Sequence, residues 1–205
     1  MTSENPTLLY IHGLNSSALS KKATQLIALM HSLGLSEQVR VPELHHHPRQ
    51  AMVQLESAIE ELGRPLLVGS SLGGYYATHL AQRHGLKAVL INPAVNPHQL
   101  FDGFVGTQQN LYTGETWELT HDHVKALAEL EVPAPQEPTR IQVWLQTGDE
   151  TLDYRRAESF YRACALRIQA GGAHSYQGFA GQLPALLSFA GFAPELLQAV
   201  DVSML

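Results

Sequence analysis

Pro65-Leu66-Leu67-Val68-Gly69-Ser70-Ser71-Leu72-Gly73-Gly74-Tyr75-Tyr76-Ala77-Thr78-His79-Leu80-Ala81 is the stretch from which the fold is read. An apolar run of strand length leads into Gly-x-Ser-x-Gly, and a helix-forming run follows. Strand, tight turn and helix in that order make a nucleophile elbow, which holds a serine hydroxyl above the edge of a sheet. Only Ser71 has glycine two places before and two places after it, so Ser71, not Ser70, is the candidate nucleophile. Gly69 and Gly73 are expected where side chains would clash across the strand–helix crossing. The turn also sets the first helical amide, that of Leu72, beside the serine, where an oxyanion would develop. On its own the pentapeptide also reads as a helix start with serine as N-cap. The rest of the chain must therefore supply an acid and then a histidine.

Outward from this stretch, short apolar runs alternate with longer helical patterns. Strands are predicted at Thr7–His12, Gln38–Val41, Pro65–Gly69, Lys87–Asn92, Arg140–Thr147 and Ala165–Ala170. Most are apolar throughout, as strands covered on both faces are. Helices are predicted near Ser20–Leu33, Gln50–Leu62, Leu72–His84, Asp153–Ala163 and Gln182–Ala190. Within the second of these, Ala51, Leu55, Ala58, Ile59 and Leu62 recur at helical spacing, with Glu56, Glu60 and Glu61 on the other side. The alternation implies a parallel sheet between two helical layers. No repeat or linker divides the 205 residues, so a single domain, 1–205, is expected. One segment breaks the rhythm, Ala94 to Thr139, which is rich in Gly and Pro. Its one helical run is placed at Thr120–Leu130, capped by Thr120 or Asp122, and the segment is expected to act as a lid or pocket wall.

The fifth strand runs into Thr147-Gly148-Asp149-Glu150-Thr151-Leu152-Asp153. A carboxylate just past a parallel strand sits on the ligand side of such a sheet. Asp149 is the first candidate to orient a histidine, and Asp153 is the reserve, with helix capping as its other reading. The sixth strand runs into Gly171-Gly172-Ala173-His174 at the same edge. Ser71, Asp149 and His174 thus follow three separate strands in the order Ser, Asp, His, which is the order of α/β-hydrolases. The first strand leads into His12-Gly13-Leu14-Asn15, the loop that in this fold donates a second oxyanion N–H. Leu14 is the expected donor through its main chain. His12 is expected to brace the loop.

Composition excludes several alternatives. The net charge of −6 does not suit a nucleic-acid partner. The lone Cys164 reads as a structural thiol. His45-His46-His47, between Pro42 and Pro48, reads as a loop, because neighbours on an extended segment face opposite ways and do not share one ion. His121-x-His123 lacks further ligands at zinc spacing. No metal or cofactor is expected. The opening Met1-Thr2-Ser3-Glu4-Asn5-Pro6 lacks the features of a signal peptide, and no run has bilayer length, so a cytoplasmic protein without a membrane span is expected.

His12-Gly13-Leu14-Asn15-Ser16-Ser17, Gly69-Ser70-Ser71-Leu72-Gly73-Gly74-Tyr75-Tyr76-Ala77, Ile91-Asn92-Pro93-Ala94-Val95 and Thr147-Gly148-Asp149-Glu150 together resemble the YqiA family of small bacterial esterases, within the α/β-hydrolase superfamily. Asn110-Leu111-Tyr112-Thr113-Gly114 and Leu152-Asp153-Tyr154-Arg155 fit the same pattern, and the resemblance runs from about Leu8 to Phe189. It implies hydrolysis of carboxylic esters in the bacterial cytoplasm, with Ser71, Asp149 and His174 as the triad. Two positions depart from the family pattern: Ala173 stands where Asn is usual, and Leu14 where an aromatic is common. The His-Gly loop follows the first strand directly, whereas in larger α/β-hydrolases two strands come before it, so no antiparallel start is expected. The expected architecture is a minimal three-layer α/β-hydrolase fold: six parallel strands in the order 2-1-3-4-5-6, helices on both faces, and the lid-like insertion 94–139.

The expected chemistry is acyl transfer to Ser71, with His174 as base, Asp149 holding the imidazole, and the Leu14 and Leu72 amides stabilising the oxyanion by ~3 kcal/mol per good donor. Asn15, Phe101, Phe104 and Tyr112 are the candidate substrate contacts, and Asn92 is a candidate for fixing the site's floor. The substrate is then a small acyl ester or thioester. Acyl-CoA thioesterase activity, favoured by a basic mouth at Arg155 or Arg156, and a non-catalytic small-molecule-binding role remain the alternatives.

Overall fold

The computed structural model describes residues 5–203 and 205; residues 1–4, part of the stretch read for a signal peptide, lie outside the described residues. In chain order the strands are β1 Leu8–Ile11, β2 Val39–Arg40, β3 Leu66–Ser70, β4 Ala88–Ile91, β5 Gly106–Gln109, β6 Thr116–Leu119, β7 Ile141–Gln146 and β8 Ala165–Gln169. The helices are α1 Lys21–Ser32, α2 Pro48–Leu62, α3 Leu72–His84, α4 Pro97–Phe101, α5 His121–Ala128, α6 Tyr154–Phe160, α7 Leu183–Ala190 and α8 Pro194–Gln198. The main sheet is β2-β1-β3-β4-β7-β8, parallel at every pairing. With the separate β5–β6 hairpin set aside, that is the expected order 2-1-3-4-5-6.

The strand period of two divides the core. Leu9, Ile11, Leu67, Leu90, Val143 and Leu145 face one side, against Ala51 and Leu55 of α2, Leu72, Tyr76 and Leu80 of α3, and Ala157 of α6. Leu8, Tyr10, Leu66, Val68, Val89, Ile91 and Trp144 face the other, against Ala23, Leu26 and Met30 of α1 and Leu183, Leu186 and Leu187 of α7. Every residue of β1, β3 and β4 is buried, which is why these strands read as unbroken apolar runs. The edge strand β8 is more exposed, and Arg167 on it lies over the Trp144 ring.

Several boundaries and one segment differ from the sequence-based expectation. α2 begins at Pro48, two residues early, because proline suits the first helical turn and the His47 side chain accepts the Arg49 N–H as N-cap. α6 stops at Phe160, short of the expected Ala163. In the insertion, the single helix expected is one of two: α5, with Thr120 as N-cap, is joined by α4 and by the antiparallel β5–β6 hairpin. The hairpin escapes notice because Gly106-Thr107-Gln108-Gln109 has no apolar face to alternate. Cys164 is half-buried and burial pushes its thiol up to about 11, which suits an unreactive packing residue.

Candidate active site

The elbow forms at the C-terminal edge of β3, next to the centre of the sheet. Ser71 has φ 55° and ψ −120°, a conformation that a non-glycine residue occupies only when its surroundings impose it. They do so here: Ser71 N–H donates to Ile91 O at 3.0 Å, and Ser71 O accepts from Gly74 N–H and Ala94 N–H. A Cβ on Gly69 would overlap Gly73 O, and one on Gly73 would overlap Ile11 O, so both glycines are required for α3 to cross β3 and β1 this closely.

His174 Nε2 lies 3.0 Å from Ser71 Oγ, and His174 Nδ1 lies 2.8 and 3.0 Å from the two carboxylate oxygens of Asp149. A carboxylate only accepts, so Nδ1 carries the hydrogen and Nε2 is left to accept from the serine. The Asp149 side chain is 2% exposed and that of His174 22%. Asp149 Oδ1 also accepts the N–H groups of Thr151 and Leu152, at 2.9 and 2.8 Å, which fixes the carboxylate at the mouth of β7. Asp153 instead caps α6: its side chain accepts Arg155 N–H and pairs with the Arg155 guanidinium.

The loop that carries His174 is held by Gln146, which the sequence does not single out, together with Asn92, the candidate floor residue, and Glu150. Gln146, at the end of β7 and 3% exposed, accepts Ala173 N–H at 3.1 Å and Gln177 N–H at 2.8 Å through Oε1. Its Nε2 donates to Gln177 O and Gln169 Oε1. Asn92 Nδ2 donates to Ala173 O at 3.1 Å and His174 O at 3.2 Å, while Asn92 Oδ1 accepts Gln146 N–H. Glu150 Oε2 accepts His174 N–H at 2.9 Å, and that bond holds the Glu150 carboxyl below the usual range. Four ties thus reach main-chain groups of Ala173 and His174. A polar residue ending the otherwise apolar β7 was the available signal for Gln146.

The loop after β1 closes the site from the other side. A Cβ on Gly13 would meet Ser71 Cβ at 3.2 Å. Leu14 and Leu72 border a notch of about 20 Å³ beside it. The Leu72 amide, first in α3, has no helical partner. His12, buried at the base of the loop, has Nδ1 3.0 Å from Gly13 O and accepts Leu44 N–H through Nε2, so Nδ1–H donates to that carbonyl. Burial holds its pKa below the ordinary value. It braces the loop, as expected. Asn15, at φ 53°, accepts the Trp117 indole N–H at 2.8 Å and donates to Gln108, tying the loop to the hairpin.

Ser71 and His174 open into a cleft of about 580 Å³, bordered by Leu14, Asn15, Leu111, Tyr112 and Glu150. Of the candidate substrate contacts, Asn15 and Tyr112 border it. Phe101 and Phe104 do not: Phe101 packs against the core, and Phe104 is exposed at the start of the hairpin. Arg155 and Arg156 also lie off the cleft, the first paired with Asp153 and the second reaching Gln99. The histidine-rich loop faces the hairpin, where His46 stacks on Trp117 with centroids 4.7 Å apart and His47 meets Asp122. Among the described residues, no three His, Cys, Asp or Glu side chains converge where a metal ion would sit, and no helix is long and apolar enough to cross a membrane.

Residues 7–191 match the model of an uncharacterised protein family, UPF0227. A UPF0227 protein of Shewanella woodyi is 24% identical over 194 residues, spanning 89% of this chain and 98% of the relative. Among solved structures, this chain is similar to alpha/beta hydrolase domain-containing protein 10 from mouse, with TM-score 0.71 and 14% identity over 98% of this chain and 93% of the other. It is also similar to Est1E from Butyrivibrio proteoclasticus with ferulic acid bound, with TM-score 0.67 and 13% identity over 96% and 90% of the two chains. At such identities the likeness establishes the α/β-hydrolase fold.

Proposed function

This chain belongs to the YqiA-like family UPF0227, and we propose that it is a serine hydrolase that cleaves carboxylic esters through an acyl-enzyme. The observation that carries this reading is the connected set Ser71 Oγ, His174 Nε2, His174 Nδ1 and the Asp149 carboxylate, each contact at 2.8 to 3.0 Å, at the floor of an open cleft. In the first step Ser71 Oγ bonds to the ester carbonyl carbon while its proton passes to His174 Nε2. The negative carbonyl oxygen is received by the Leu72 and Leu14 amides. Asp149 holds the imidazole in the tautomer that accepts this proton and stabilises the imidazolium. The C–O bond to the alcohol then breaks, and His174 returns the proton to the departing oxygen. Water repeats the sequence on the acyl-Ser71 ester and releases the acid. No step calls for a metal or an organic cofactor. The hairpin turn, with Leu111 and Tyr112, is the part of the insertion 94–139 that forms a wall of the acyl site.

A thioester would react at the same groups. Arg155 and Arg156 lie off the cleft while Lys21 and Lys22 border it, so the choice between oxygen ester and thioester rests on assay. Intact mass after treatment with a fluorophosphonate, on wild type and Ser71→Ala, tests the proposal. One adduct on wild type and none on the variant is expected. Adduct on both, or none on a folded wild type whose cleft admits the probe, overturns it. Matched oxygen-ester and thioester substrates then separate the two activities.

A further inference from the structure

The cleft extends beyond Ser71, past Ser70 and Ser175, to the first turn of α1. That far wing holds two lysines and two buried hydroxyls. Lys22 Nζ donates to Ser175 O at 2.8 Å, one residue from His174. No carboxylate among the described residues lies within salt-bridge distance of it. Burial lowers its pKa to about 8, the mark of an ammonium removed from water without a counter-charge. Lys21 borders the same wing. Ser20 is the N-cap of the twelve-residue α1, yet its side chain does not cap the helix, and Oγ is buried near the Tyr10 hydroxyl without a well-formed hydrogen bond. Tyr176 is 2% exposed, is held at φ 60°, and its hydroxyl is likewise buried and unpaired. An unpaired buried hydroxyl is a standing cost that a bound acceptor removes. The Glu150 carboxylate, which borders the cleft, is already engaged by His174 N–H.

We propose that this wing is an anion subsite, in which Lys22 and the start of α1 receive a compact oxyanion carried by the substrate and the buried hydroxyls of Ser20 and Tyr176 rotate toward it on binding, so that the ester cleaved at Ser71 bears a carboxylate or phosphate on one arm. This inference rests on the serine-hydrolase reading for the reaction, but the binding of the anion itself does not. The helix start contributes amides free of helical partners and a positive dipole end, and Lys22 contributes a full charge. A neutral ester of the same length would leave both unanswered.

The test has two parts. The first compares a mono-4-nitrophenyl ester of a dicarboxylic acid, its ω-methyl ester, and a phosphate-bearing ester of matched length, on wild type and Lys22→Gln. The glutamine keeps a donor for Ser175 O and removes the charge. Wild type is expected to favour a charged ester over its neutral twin by about ten-fold or more in kcat/KM, the scale of a charge-assisted hydrogen bond, with the preference falling close to unity in Lys22→Gln through KM. Which charged ester is favoured distinguishes carboxylate from phosphate. The second part titrates glutarate, and separately inorganic phosphate, into Ser71→Ala with and without Lys22→Gln. Binding lost with the lysine is expected. No charge preference in wild type, or a preference that survives Lys22→Gln, overturns the subsite, even if fluorophosphonate labelling at Ser71 stands. Failure of labelling and of all ester turnover, with lysine-dependent anion binding retained, instead overturns the hydrolase reading and leaves the subsite.

Discussion

Asn92 offers the sharpest check on how the site is held. It sits at φ 40° after β4 and is 2% exposed, and its amide spans from Gln146 N–H to the carbonyls of Ala173 and His174. Asn92→Ala leaves the Gln146 N–H without its acceptor, at ~1–3 kcal/mol for a buried unpaired group. It also places alanine in a left-handed conformation, at ~1–2 kcal/mol. The expected destabilisation is therefore about 2–5 kcal/mol. Asn92→Gly removes the second cost and is expected to be about 1–2 kcal/mol more stable than Asn92→Ala. Asn92→Asp keeps the acceptor but turns a carboxylate toward two carbonyl oxygens. The folded-state pKa of that aspartate is raised, so its penalty is present at neutral pH and shrinks as pH falls and the group protonates. Urea unfolding of the four proteins measures stability, and turnover of 4-nitrophenyl butyrate measures the site. Release of the His174 loop should lower kcat more than it raises KM, by about ten-fold for each 1.4 kcal/mol of lost transition-state stabilisation. If all three variants unfold within about 0.5 kcal/mol of wild type and kcat stays within about two-fold, the bracing described for this loop is wrong.

The two aspartates should separate cleanly in steady-state kinetics. Asp149→Asn is expected to lower kcat by about 10⁴-fold, through the wrong imidazole tautomer, whereas Asp153→Ala should cost only ~1 kcal/mol of stability, through the lost α6 cap. A large kcat effect at Asp153 would reverse the assignment. Acid should weaken the fold through His12, whose pKa burial depresses. The unfolded chain binds that proton first, so the contribution is complete above about pH 6.5 and is lost as pH falls toward the depressed folded value. His79 and His123, also depressed by burial, add in the same direction. Urea midpoints at a series of pH values between 7.5 and 5 should fall less steeply for His12→Asn than for wild type, by at most ~1.4 kcal/mol per pH unit; equal slopes would exclude His12 as a contributor.

The amino-acid sequence by itself determined the layered α/β architecture, the strand order and the position of the elbow. Those features are local or periodic: a strand buried on both faces is apolar throughout, and a crossing too tight for a Cβ demands Gly69 and Gly73. The triad candidates were legible because each follows its own strand, so chain order alone places them on one edge. What the sequence left open was decided by tertiary contacts. Asp149 and Asp153 differ by four residues and by nothing in type; only the path of the turn sends one toward His174 and the other onto α6. In the β5–β6 hairpin, β5 is polar and four residues of β6 are too few to mark a period, and the hairpin is secured by Asn15, more than ninety residues away in the chain. Phe101 and Phe104 are both apolar residues of the insertion, but the partial burial of one and the exposure of the other depend on where α4 docks. Gln146, Asn92 and Lys22 likewise gain their roles from partners on other loops, because hydrogen-bond geometry is a property of assembled surfaces and leaves no period in the chain.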